Sequence, residues 1–138
     1  MKKIYRLFIL ALVLSACQSV HDEMIILDDV KKISISESGG YGGIHDNYFM
    51  TSSDKKVISH FEEVMKRARG VQHDVDVSND KPDFDILVNY ENGERHLLHL
   101  ILGDEGQESI FMYVGYEKNG FYVSPEATKV LKDSLELQ

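Results

Sequence analysis

The sequence predicts an α+β domain: an antiparallel sheet of four to five strands in the order strand, helix, hairpin, hairpin, helix, with the two helices packed on one face. Three observations carry this. Residues 84–91 and 94–102 are strand-like runs separated by Asn92-Gly93, and 109–118 and 121–123 are separated in the same way by Asn119-Gly120. Asn-Gly is the strongest two-residue hairpin signal, because a type I′ turn needs positive φ at both central residues. Residues 54–69 place apolar side chains at helical spacing. Consecutive hairpins make a meander, and two amphipathic helices need one face of it to bury their apolar sides.

The chain begins MKKIYRLFILALVLSAC. Lys2, Lys3 and Arg6 form a cationic head, residues 7–14 a short apolar stretch, and Ser15 and Ala16 a small-residue end. That order describes a secretory signal over 1–16. Eight strongly apolar residues are too few to cross a ~30 Å hydrocarbon core, which needs about 20. The alternative is an uncleaved anchor helix. Leu14-Ser15-Ala16-Cys17 resembles the lipobox of bacterial lipoproteins, and Cys17 is the one cysteine of the chain. The resemblance implies that Cys17 becomes the lipid-bearing first residue, anchoring the protein to the outer side of the cell membrane. Each buried CH₂ of an acyl chain contributes roughly 0.8 kcal/mol, so two or three chains hold a protein stably. Gln18 follows, so the Asp that retains some lipoproteins in a Gram-negative inner membrane is absent.

Residues 17–30 are then a lipidated N-terminus and short tether, and 31–138 a single domain. Met24 to Leu27 make the tether apolar enough to fold back as an edge segment. In 31–37, Ile33 and Ile35 alternate with Lys32, Ser34 and Ser36, the period of a half-buried strand. Glycines 39, 40, 42 and 43 interrupt it, and with Tyr41, Tyr48 and Phe49 they suggest a flexible or partner-contacting loop. Ser52, Ser53 and Asp54 are N-cap candidates for the first helix, with Gly70 as its stop. Its apolar face is Val57, Ile58, Phe61, Val64, Met65 and Ala68. Residues 71–82 are a polar connection that includes a short strand at 75–77. After the hairpins, Ser124 caps a last helix, Pro125 opens it, and Ala127, Val130, Leu131 and Leu135 form its apolar face.

Composition excludes several functions. At 43% apolar and 28% charged residues, the chain is not disordered. One cysteine excludes a disulfide scaffold and a multi-Cys zinc site. From Cys17 onward there are 12 basic and 23 acidic residues, a net charge of −11, which argues against nucleic acid and against lying flat on anionic lipid. His96 and His99 are three apart on a strand, hence on opposite faces, and cannot share one ion. His45-Asp46 and His73-Asp74-Val75-Asp76 read as solvated loop residues rather than metal ligands. The glycine loop lacks the Lys and the immediate helix of a phosphate-binding loop. With 23 acids, Asp83, Asp85, Asp104 and Glu105 read as part of a solvated face. No G-x-S-x-G elbow occurs. No catalytic residue, metal ligand or cofactor is expected.

Pro82-Asp83-Phe84-Asp85, Val88-Asn89-Tyr90-Glu91-Asn92-Gly93, Leu98-His99-Leu100-Ile101-Leu102 and Gly120-Phe121-Tyr122-Val123-Ser124 resemble the YhfM-like domain of small Gram-positive lipoproteins. The similarity runs over 31–135 and departs from the family at 100–102, where the expected Trp is missing. It implies a lipoprotein of uncharacterised activity. The expected function is a non-catalytic binding or interaction module on the extracytoplasmic face of the membrane, with a protein or cell-wall partner. The alternative is a hydrolase or metal-dependent enzyme of the cell envelope.

Overall fold

A computed structural model describes residues 22–76 and 81–137. The signal segment 1–16, Cys17 and the start of the tether lie outside the described residues, as does part of the strand expected at 75–77. The elements are β1 (Val30–Glu37), β2 (Met50–Ser52), α1 (Lys55–Arg67), β3 (Arg69–Gly70), β4 (Phe84–Tyr90), β5 (Arg95–Ile101), β6 (Ser109–Tyr113), β7 (Gly120–Val123) and α2 (Pro125–Leu135). They form one seven-stranded antiparallel sheet in the order β2-β1-β4-β5-β6-β7-β3. The expectation of four to five strands is therefore wrong. The two added strands are the edges: β2 has three residues and β3 two, too short for a period-two pattern to show.

Register divides the sheet into two faces. Ile33 and Ile35, Ile86 and Val88, Leu98 and Leu100, Phe111, and Phe121 and Val123 point to one side and are buried. Helix α1 covers them with Ile58, Phe61, Val64 and Met65, the Phe61 and Phe111 ring centroids 5.9 Å apart. Its N-cap is Asp54, whose carboxylate accepts from the Lys56 and Val57 amides at 2.9 and 3.1 Å. The helix ends at extended Ala68, one residue before β3, so Gly70 is a strand residue rather than its stop. Helix α2 lies against α1, capped by Ser124 on the Ala127 amide at 3.1 Å and tied to β6 by Thr128 Oγ1 donating to Ser109 Oγ at 2.9 Å.

Both turns differ from expectation. Around Asn92-Gly93 only glycine has positive φ, +86°. Gly93 N–H donates to Tyr90 O at 3.1 Å and Tyr90 N–H to Glu94 O at 2.9 Å. That is a type I turn closed by a glycine bulge, not type I′. Gly120 is no turn residue at all: it pairs with Met112 inside the sheet. A Cβ there would meet Ile110 Cγ2 at 2.9 Å and press on the Val75 side chain, so the glycine marks close packing. Strand β6 ends at Tyr113, and residues 114–119 make a longer connection with Gly115 at φ +92°.

Candidate functional site

Two constellations concentrate chemistry, one on each side of the sheet. The face away from the helices carries Ser34, Ser36, Asp85, His99 and Met112, all buried. The glycine loop buries part of it. Ser36 Oγ donates to His45 O at 2.6 Å, His45 N–H donates to Asp85 Oδ2 at 2.9 Å, and the Tyr41 ring stands edge-on to His99 at 5.4 Å. Gly39 allows the closure, since a Cβ there would strike the His45 imidazole. Beneath the loop, His99 Nδ1 donates to Asp85 Oδ1 at 2.7 Å, both side chains being 0% exposed. His99 Nε2 has no hydrogen-bond partner among the described residues, and Glu117 Oε1 stands 3.5 Å from it. The reading of Asp85 as a solvated acid is thus overturned. Its burial depends on a loop crossing the sheet, which spacing along the chain does not reveal.

The second constellation is a cavity of about 500 Å³ at one end of the sheet. It exists because β5 begins at Arg95 while its pairing with β6 starts only at Leu98↔Tyr113. The lead-in 22–29 passes beside that gap. Met24 is buried in the core, Glu23 bridges to Arg69, and Ile25 N–H donates to the Tyr113 hydroxyl at 2.9 Å. Ile25, Leu97, Tyr113, Val114, Tyr116 and Phe121 supply an apolar lining, and His96, Arg95, Glu23 and Asn119 the polar groups. Two other clefts, of about 340 and 530 Å³, are lined largely by charged side chains. The apolar cavity with few polar groups has the make-up of a small-molecule site.

His96 sits on the helix side of the sheet, opposite His99. Its Nδ1 lies 2.7 Å from the Tyr90 hydroxyl, and the Tyr113 ring is 4.9 Å away. Burial lowers the His96 pKa, against a small opposing effect from Glu94. Burial, with a smaller contribution from Tyr113, pushes Tyr90 up to about 12. His60 bonds Ser134 Oγ at 2.9 Å, and His73 is exposed. No group of three or more His, Cys, Asp or Glu among the described residues is placed to hold a metal ion. No helix among them is long and apolar enough to cross a membrane.

The profile of the YhfM protein family matches residues 22–138. The chain belongs to the YhfM family. The match begins in the lead-in, so the family's extent includes the segment that borders the cavity. No curated protein matches the chain. Among solved structures, a thioesterase-like protein from Clostridium sporogenes ATCC 15579 is similar, with a TM-score of 0.62 and 16% sequence identity over 76% of this chain and 93% of that one. That likeness concerns the fold alone.

The sequence reading separated His96 from His99 by strand period, which the register matches. It missed the partners each finds. Tyr113 and Tyr116 take different parts: Tyr113 is half-buried in the cavity wall, and Tyr116 is 68% exposed at its rim. The glycine loop lies on the sheet, with Phe49 left exposed beside it.

Proposed function

We propose that this YhfM protein is a lipid-anchored module on the extracytoplasmic face of the cell membrane, whose domain binds a small, largely apolar ligand in the cavity beside the lead-in. Anchoring is supported by Leu14-Ser15-Ala16-Cys17 behind a cationic and apolar leader. Binding is supported by one observation above the rest: about 500 Å³ of aromatic- and aliphatic-lined space with a half-buried histidine, His96, in its wall. Closing such space on an apolar ligand removes surface from water at roughly 25 cal/mol per Å². The test is fluorescence titration of a soluble form starting at Ser19 with 1-anilinonaphthalene-8-sulfonate, an apolar dye. Saturable enhancement is expected, and Val114→Asp, which puts a carboxylate into the lining, abolishes it. Equal enhancement by the variant would reject the cavity as the site.

One observation favours a second reading, a hydrolase of the envelope. A histidine oriented by a buried carboxylate, with its other nitrogen unbonded, is the geometry of a general base. For that role the glycine loop has to lift, because His99 and Asp85 are closed off from solvent. Turnover of simple acyl esters that disappears in His99→Ala and persists in Val114→Asp would favour this reading over the binding module.

A further inference from the structure

One chain of hydrogen bonds sets the polar chemistry of the cavity. Tyr90 is 1% exposed. Among the described residues the acceptor for its hydroxyl proton is His96 Nδ1 at 2.7 Å. A tyrosine hydroxyl has a single proton to give, so Nδ1 accepts it and neutral His96 carries its own proton on Nε2. Burial supports this state from both ends, holding Tyr90 protonated and His96 neutral. The Tyr113 hydroxyl is already engaged by the N–H and C=O of Ile25. His96 lines the cavity, so its Nε2–H is the donor a ligand meets there.

The charged residues of the lining are Glu23 and Arg95. Glu23 is paired with Arg69 at 3.8 Å, whereas Arg95 makes no ion pair among the described residues. An apolar space with a neutral N–H donor and one uncommitted guanidinium is complementary to an anionic acceptor carried on an apolar body. We infer that the cavity takes a small monocarboxylate amphiphile, its tail against Ile25, Leu97, Tyr113 and Phe121 and its carboxylate on His96 Nε2–H, with the exposed Arg95, which leaves the other face of β5, supplying positive charge at the rim. The inference rests on the reading of the cavity as a ligand site and names the ligand class.

The experiment uses the full chain in phospholipid nanodiscs, labelled with ¹⁵N-histidine, with octanoate as probe and 1-octanol as its neutral counterpart; empty nanodiscs correct for partitioning. His96 signals are assigned by their loss in His96→Phe. Before ligand is added, the His96 proton is expected on Nε2, and a proton on Nδ1 overturns the donor assignment. Octanoate is expected to move the Nε2 signal saturably, with 1-octanol about tenfold weaker, the scale of a hydrogen bond to a charged group. Arg95→Gln, a substitution at an exposed position, is expected to weaken octanoate by a smaller factor. Equal affinity for octanoate and 1-octanol overturns the carboxylate class while leaving a ligand site. No response to either overturns the ligand site itself.

Discussion

Replacing Asp85 by Ala tests the architecture beneath the glycine loop. The carboxylate accepts from His99 Nδ1 at 2.7 Å and from the His45 amide at 2.9 Å, and the residue is 0% exposed. Removing it leaves two donors without acceptors. Each orphaned donor costs about 1–3 kcal/mol, so the two together cost about 2–6 kcal/mol. The expected loss is a large share of the roughly 5–15 kcal/mol typical of a domain. At about 4 °C per kcal/mol for this size, the melting midpoint falls by about 8–24 °C. Far-UV circular dichroism on a soluble form starting at Ser19 measures it, and that form is expected to melt cooperatively. Asp85→Leu combined with His99→Phe removes both partners, so its cost falls below the sum of the single changes by roughly 1–3 kcal/mol. A shift under about 3 °C for Asp85→Ala, or strict additivity in the double variant, would refute the reasoning.

The other predictions concern the turn, the cavity wall and the anchor. Gly93→Val forces a β-branched residue to φ +86° and should destabilise by about 1–3 kcal/mol in urea unfolding, even though a Cβ there meets nothing within 4 Å. Because the folded pKa of His96 lies below its unfolded value of 6.5, its contribution is present above that pH and is lost as pH falls below it. Stability measured between pH 5 and 7 should therefore decline less steeply in His96→Phe. Tyr90 works at the other end: with its pKa raised from 10.0 to about 12, its contribution is present below pH 10 and lost as pH rises toward 12, a slope that Tyr90→Phe should remove. Growth with labelled palmitate should tag the wild-type chain and not Cys17→Ala; a tagged variant would reject lipidation at that residue.

Much of the frame was legible because local chemistry agreed with tertiary packing. Asp54 and Ser124 cap the helices as their position suggests, and the apolar faces of 54–69 and of the last helix point to the core. The first hairpin survives a change of turn type because Gly93 supplies positive φ in either form. The illegible parts depend on contacts distant in sequence. Two edge strands of three and two residues carry no period of their own. Gly120 looked like half of a turn, yet it is kept small by Val75 and Ile110. Gly115, inside a run that otherwise reads as continuous strand, was the signal that β6 stops early and opens the cavity. Nothing local singled out Asp85 among 23 acids, since its partners are 14 and 40 residues away.

Amide chemical-shift mapping of the soluble form on addition of 1-anilinonaphthalene-8-sulfonate addresses the binding function most directly. A ligand in the cavity moves the signals of Ile25, His96, Leu97, Tyr113 and Val114, which border it, and leaves Tyr41, His45 and His99 on the opposite face in place. Shifts gathered around Tyr41 and His99, or no saturable shift at any residue, would contradict it.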